Sequence, residues 1–336
     1  MPEHNANTPI RKTVRKCLAT SSKHWRRLLQ FGFLGIFLMI IGKMIDPVAL
    51  RQIIAQVRPE IMLVAIAIYF GNIAIRAYRW QRIFSVKTRA ISLKDAYVIT
   101  LVGVALNMII PATMGDVARS YYGYKLYGFK EEMLSTVLAD KMFALCSLFV
   151  LGGISGYGMG YGMLGTVSWF VALMAGLPIV FPRLVPWGWL NGMLRYMKKS
   201  LDAERLIEAF TLPAGLKLGM FGVSFGGWLW TCVFFYVVCA AFPVQVSLWY
   251  VIVIMPMLTI ARLFPFTLNA LGPMEVAVAY FFHLIGIEPT LAVLISLSSN
   301  LISSVLPGIC GMLILIFWRQ AARKDAHVKS TRLHDL

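Results

Sequence analysis

The chain has 336 residues, 59% of them hydrophobic and only 14% charged, with a formal net charge of +17. A soluble domain carries about 25% charged residues, whereas several windows here offer the ~20 apolar residues that cross a bilayer, so a soluble globular protein is excluded. The basic excess does not mark a nucleic-acid binder, because it is gathered in short tracts beside apolar runs.

Residues 1–28 form a basic tail that contains Arg11, Lys12, Arg15, Lys16, Lys23, Arg26 and Arg27. Positive flanks stay on the cytoplasmic side of a membrane and are drawn to anionic headgroups. The apolar run that follows has no small-residue cleavage site, so it is read as a retained first span rather than a signal peptide. Six apolar windows, at 29–46, 61–78, 134–155, 164–182, 217–240 and 289–317, are read as full crossings. Two further regions, 96–112 and 248–286, are interrupted. The segment 319–336 is a second basic tail, with Arg319, Arg323, Lys324, Lys329 and Arg332. One transmembrane domain, 29–318, is expected between the tails, with halves at roughly 29–160 and 161–318. The five cysteines show no metal or redox spacing, and no metal site or cofactor is expected.

The connector after the second window holds Arg76, Arg79, Arg82, Lys87, Arg89 and Lys94, and the stretch 183–217 holds Arg183, Arg195, Lys198, Lys199, Arg205 and Lys217. Both belong inside by the charge rule, and "RAYRW" at 76–80 would put Arg76, Arg79 and Trp80 at the membrane edge as anchors. The uncharged "GYGMGYGM" and "FPVQVS" suit the outside. This assignment decides how 96–112 behaves. A full crossing there would put the basic 183–217 segment outside, whereas a hairpin that enters and returns keeps every basic connector inside. Its turn is expected at Pro111 and Gly115, since proline removes a backbone donor and glycine permits a tight reversal.

The second interrupted region repeats the pattern, with breaks at Pro265, Gly272 and Pro273 and Glu275 opening a last arm of 12 residues. That arm is about 18 Å of helix, short of a hydrocarbon core of roughly 30 Å. The charge rule does not choose between a hairpin from outside and two short crossings here. Paired interruptions in corresponding positions favour an inverted repeat with a central site. The expectation is an all-α polytopic protein of about six spans plus two re-entrant hairpins, both termini cytoplasmic. Eight or nine plain helices is the alternative.

Ionisable groups at membrane depth are costly and face a cavity or a partner. Asp116 and Arg119 share a helical face at i, i+3. They form either an interfacial pair that pins the hairpin or a headgroup site, with Arg119 forking a phosphate. Asn107 adds a hydrogen bond or a packing contact. Asp140 and Lys141 point to different faces; Arg119 is the natural partner for Asp140, and Lys141 is expected to snorkel to the surface. Arg262, Asn269, Glu275 and His283 are the polar inventory of the second interrupted region. There Glu275 also favours the helix dipole, Arg262 is either deep or at the cytoplasmic boundary, and His283 is a packing residue or a proton relay.

The elements "RW" at 79–80, "P-x3-GD-x2-R" at 111–119, "ADK" at 139–141 and "P-x6-GPME" at 265–275 resemble a flippase-like membrane family. That family includes the transmembrane region of lysylphosphatidylglycerol synthases, and the resemblance covers roughly residues 30 to 318. Such synthases carry a soluble aminoacyl-transferase domain after the membrane part. Here 18 residues follow Trp318, so the chain resembles the stand-alone members. The resemblance implies roles for Pro111, Gly115, Asp116, Arg119, Asp140, Lys141, Gly272 and Glu275. The chain departs from the family pattern at Asp140–Lys141, at Ala144, and at Asn269 and Ala270.

The leading expectation is therefore a multi-pass lipid transporter or flippase-like protein of a prokaryotic cytoplasmic (inner) membrane. Its partner would be a membrane phospholipid or polyprenyl-phosphate lipid, held between two re-entrant hairpins by Asn107, Asp116, Arg119, Asp140, Lys141, Arg262, Asn269 and Glu275. A membrane transferase acting on a lipid carrier, or a non-catalytic partner subunit, stands against it. A homo-oligomer or a partner enzyme fits either.

Overall fold

A computed structural model describes residues 35–36, 39–40, 42–87, 91–109, 115–127, 130–185, 203–262 and 272–317. Both basic tails and half of the first window lie outside these residues. Among the described residues every regular element is helical.

The short helix α1 (Pro47–Gln56) starts on Asp46, whose side chain accepts from the Val48 N–H at 2.8 Å, with Pro47 in the first turn. That proline loses no helical hydrogen bond there. Next comes α2 (Pro59–Lys87), 29 residues long and so about 44 Å. It runs antiparallel to α8 (Ala214–Ala240). The Arg58 N–H meets the Ala241 carbonyl at 2.9 Å, and the Trp230 indole donates to the Ile68 carbonyl at 2.7 Å. Gly71 leaves room for the Trp230 ring, and Gly227 lies against Ile75. Small residues let helices approach closely in this way where lipid offers no hydrophobic drive.

The first interrupted window consists of two helices, α3 (Leu93–Ile109) and α4 (Gly115–Tyr127). They run back along each other in one register. Asp95 bonds Tyr127 at the mouth, Gly123 lies against Ile99, and Gly115 abuts the Asn107 backbone near the tip. A methyl group on Gly115 would sit 2.5 Å from the Leu106 carbonyl carbon, so the absence of a side chain is what allows this approach. At 17 and 13 residues the arms are about 26 and 20 Å long. The second interrupted region is built alike from α9 (Leu248–Arg262) and α10 (Pro273–His283). The Tyr250 hydroxyl donates to the Phe281 carbonyl near one end, and Arg262 meets Met274 near the other. Gly272 precedes α10 at φ 102°, with Pro273 in its first turn. Pro111, Pro265 and Asn269 lie outside the described residues.

Between the hairpins, α5 (Lys130–Gly158) and α6 (Gly162–Val180) pack along their length. Gly156 faces the Gly165 backbone, and Gly152 lies against Ser168 and against Pro256 of α9. The amphipathic α7 (Ala203–Phe210) buries Phe210 beside Phe143 and Ile83. Finally α11 (Pro289–Asn300) continues through a π-helical stretch, Leu301–Val305, into a helix ending at Phe317. Its start is tied to the start of α1, because Thr290 donates to the Met44 carbonyl at 3.0 Å.

Five of these helices are long and apolar enough to cross a membrane: Pro59–Val86, Glu132–Gly158, Gly162–Val180, Ala214–Ala240 and Pro289–Phe317. They correspond to five of the six expected windows. The mouth of the α3/α4 hairpin lies at the end of the bundle where α2 finishes. The mouth of the α9/α10 hairpin lies at the opposite end, where α8 finishes.

Candidate functional site

A cavity of about 280 Å³ lies where Asn107 and Arg119 of one hairpin and Thr259 and Arg262 of the other approach the middle of α2, α5 and α8. Helical spacing explains its lining. Tyr69, Asn72, Arg76 and Arg79 recur at three- and four-residue steps on one face of α2, and Ser224, Gly227, Trp228 and Thr231 do the same on α8. Residues so spaced lie on one side of a helix. The facing stripes are joined where the Asn72 amide donates to Thr231 Oγ1 at 2.9 Å and to the Gly227 carbonyl at 3.1 Å.

The electrostatic centre is Asp140, 4% exposed on α5. Its Oδ1 accepts from Arg79 Nε at 2.5 Å, and its Oδ2 is 3.4 Å from Arg119 Nη2. Arg79 also donates to Ser224 Oγ at 3.0 Å, and Arg119 to Thr100 Oγ1 at 3.3 Å. The Arg119 guanidinium lies 5.4 Å from the centre of the buried Trp80 ring, an arrangement that adds a cation–π attraction. One carboxylate thus links α2 and α4 to α5.

Lys141 and Arg262 complete the basic lining, with Arg262 Nε 2.8 Å from Met274 Sδ. Among the described residues, five cations therefore line the cavity, Arg76, Arg79, Arg119, Lys141 and Arg262, with one carboxylate, Asp140. At an effective dielectric of about 20, two like charges ~6 Å apart repel by about 3 kcal/mol. Such a lining is favourable only with counter-charge. Asn107 Oδ1 and Ser303 Oγ, atoms of two lining residues, are buried with no hydrogen-bond partner among the described residues. A ligand that bonds them would remove the cost of leaving polar atoms unmade.

The structure brings together five of the expected site residues: Asn107, Arg119, Asp140, Lys141 and Arg262. The expected Arg119–Asp140 pair is present, although Arg79 makes the shorter bond. Lys141 and Arg262 both line the cavity. Asn269 and the side chain of Asp116 lie outside the described structure. Glu275 is fully buried behind the lining. Its Oε2 accepts the Gly272 N–H at 2.6 Å, and its Oε1 is 3.5 Å from both Ser296 Oγ and Asn300 Nδ2. His283 is on an exposed face of α10.

One expectation is overturned. Arg79 and Trp80 are not anchors at a membrane edge, since they are 5% and 0% exposed. The helix runs on to Lys87, about 12 Å past Arg79, so these residues sit in the bundle interior. Arg76 joins them at the cavity wall. The signal was in the sequence, because Asn72, Arg76 and Arg79 share a face. A second missed signal is the polar run Ser296–Ser304 inside an apolar helix, which overlaps the π-helical stretch and supplies Ser303 and Ser304 to the cavity. Such π-helical turns are frequent at functional sites.

Residues 28–311 match the family model described as the lysylphosphatidylglycerol synthase TM region. Two proteins of Methanothermobacter thermautotrophicus, each described as a UPF0104 membrane protein, are also similar. One is 22% identical over 311 residues, covering 82% of this chain and 90% of its own. The other is 26% identical over 306 residues, covering 82% and 89%. No solved structure matches.

Proposed function

From the premise that this chain belongs to the lysylphosphatidylglycerol synthase transmembrane-region family, we propose that it moves a phosphate-bearing lipid headgroup through the polar cavity. The observation that carries this reading is the cavity's charge: among the described residues, five cations and one carboxylate line it, in the interior of an apolar helical bundle. Arginine suits the task because its planar fork bonds two phosphate oxygens at once. The headgroup sits among Arg119, Lys141 and Arg262 while its acyl chains remain in lipid.

Several features support re-entrant hairpins and an inverted repeat. The arms of both hairpins are too short for a full crossing, and their mouths lie at opposite ends of the bundle. Contacts also exchange in pairs when α2, the α3/α4 hairpin and α5 are matched to α8, the α9/α10 hairpin and α11. Thus α3 touches the π-helical stretch that continues α11 as α9 touches α5, and α2 touches α3 as α8 touches α9. Rocking one repeat against the other would expose the cavity to each side alternately. By the charge rule, the basic connectors and tails support a cytoplasmic position for the α3/α4 mouth and both termini. A transferase would need a carboxylate positioned to take a proton. Asp140 is instead held between two guanidiniums, and Glu275 is held by α10 and α11.

The test is reconstitution into vesicles that contain fluorescent phosphate-bearing lipids. Protein-containing vesicles are expected to move headgroups between leaflets at least ten times faster than empty ones. Equal rates for every phosphate-bearing lipid in the panel would refute the transport reading.

A further inference from the structure

Two carboxylates are buried among the described residues, Asp140 and Glu275, and they are compensated differently. Asp140 sits between Arg79 and Arg119, whereas no described basic group comes within ion-pair distance of Glu275. Resting on the transport reading above, we infer that Glu275 and the polar face of α11 hold a sodium ion whose binding is linked to that of the phosphate headgroup.

Capping α10 uses only half of the Glu275 carboxylate. Its Oε2 accepts the Gly272 N–H at 2.6 Å, and the helix start favours negative charge there. Oε1 is left with Ser296 Oγ and Asn300 Nδ2, each 3.5 Å away. A hydrogen bond between oxygens closes to about 2.5–3.0 Å, so the serine stands beside Oε1 without closing on it. Oxygens 3.5 Å apart on adjacent corners of an octahedron lie about 2.5 Å from its centre, the distance oxygen keeps from a cation of calcium's size. One carboxylate matches one positive charge, and sodium is the monovalent metal ion of that size. Turning the Asn300 amide over brings its oxygen to the same centre.

The face of α11 and its π-helical continuation supplies further oxygens. Ser296, Ser299, Asn300 and Ser303 recur at three- and four-residue steps and are at most 3% exposed, and residues so spaced share a helical side. Ser299 Oγ and Ser303 Oγ have no hydrogen-bond partner among the described residues. Elsewhere in this bundle Ser147, Ser155 and Ser224 each bond the carbonyl four residues back. Two buried hydroxyls that forgo that bond have oxygens to offer a cation. The backbone loosens at the same place. Leu306 N–H donates to the Leu301 carbonyl, five residues back, and Pro307 has no N–H, which leaves the Ile302 carbonyl without a donor from the next turn. Released carbonyls at breaks in spanning helices coordinate coupling cations in transporters. Histidine and cysteine spacing carries no signal for such a cation, because it takes oxygen ligands.

Arg262, in the other arm of the same hairpin, ties this site to the cavity. It lines the cavity, its Nε meets Met274 Sδ, and it lies within electrostatic reach of Glu275. With no ion bound, the Glu275 charge offsets Arg262. A sodium ion cancels that charge and leaves Arg262 more attractive to a phosphate. The effect is reciprocal, so the headgroup tightens sodium by the factor by which sodium tightens the headgroup.

The full chain in phosphatidylcholine nanodiscs is assayed for binding of radiolabelled sodium and of phosphatidylglycerol, at constant pH and equal ionic strength in sodium, potassium or choline chloride. Saturable sodium binding is expected, with potassium competing about tenfold or more weakly because of its size. Phosphatidylglycerol should bind about fivefold or more tighter in sodium than in choline, and should tighten sodium equally. Glu275→Gln should abolish both effects. That change also removes a helix cap, so a second variant carries Ser296→Ala and Ser299→Ala, which keep the cap and the charge. It should bind sodium about tenfold or more weakly while unfolding near the wild-type temperature. Sodium bound equally by this variant and the wild type overturns the site. Absence of saturable sodium binding, with phosphatidylglycerol bound alike in all three salts, overturns the sodium inference and leaves the transport reading standing. Headgroup movement driven by a pH gradient without sodium assigns coupling to the proton and overturns it too. Sodium binding with no headgroup binding or movement in any salt refutes the transport reading and the linkage, and upholds the ion site alone.

Discussion

Asp140→Asn is expected to be the most destabilising single substitution in the bundle, at about 3–5 kcal/mol. The carboxylate is shared by Arg79 at 2.5 Å and Arg119 at 3.4 Å, and all three residues are at most 5% exposed. Removing the negative charge leaves two buried guanidiniums facing a neutral amide. The loss is read as a fall in thermal unfolding temperature in detergent. A partial rescue makes the argument specific. Arg79→Met on the Asp140→Asn background should cost less than the sum of the two single changes, because the second change removes a charge that the first left unpaired. Added anionic lipid should also raise the unfolding temperature of Asp140→Asn more than that of the wild type, since the lipid supplies the missing charge. An unfolding temperature unchanged by Asp140→Asn would show that the ion pair does not hold α2 and α4 to α5.

The second large effect is expected for Arg119→Lys, which keeps the charge and still impairs transport. The Arg119 guanidinium spans Thr100 Oγ1, Asp140 Oδ2 and the face of Trp80. It can do so because its donors project in a fixed planar fork, whereas an ammonium is a point charge on a flexible stem. A lysine that keeps Asp140 gives up one charge-assisted contact to the phosphate. Such a contact contributes about 1.5–3 kcal/mol, so headgroup movement in vesicles should fall roughly tenfold to a hundredfold. Arg119→Gln, which lacks the charge as well, should fall to the rate of empty vesicles. If lysine and glutamine were both as active as arginine, Arg119 would have no part in transport.

How legible this was from the sequence varies with the range of the interaction. The membrane class followed from composition, and five spans followed from hydropathy, because both are properties of contiguous residues. The two interruptions were visible for the same reason: each places proline and glycine inside or beside an apolar run. Arg119, Asp140, Lys141 and Arg262 were recognisable because a charge at membrane depth is conspicuous. Arg79 was misplaced for the opposite reason. It stands near Arg82 and Lys87, and a local charge count merges it with the basic flank. Only the helical phase of Asn72, Arg76 and Arg79 separates it from that flank. Its bond to Asp140 joins residues 61 positions apart, a distance on which local pattern carries no information. Glu275 was readable as a helix-start acid, yet its contacts with Ser296 and Asn300 depend on how α10 meets α11.

The most direct measurement is the location of the headgroup itself. A phospholipid with a photoreactive group on its phosphate is incorporated with the protein into nanodiscs, irradiated, and its adducts are mapped by peptide sequencing. Adducts are expected on cavity residues, above all Val104, Ala144, Gly227 and Thr259, which line it from α3, α5, α8 and α9, and Arg119→Gln should reduce them. Adducts confined to outward-facing residues such as Phe170 and Leu173 of α6, which are 63% and 66% exposed, would contradict a headgroup site inside the bundle.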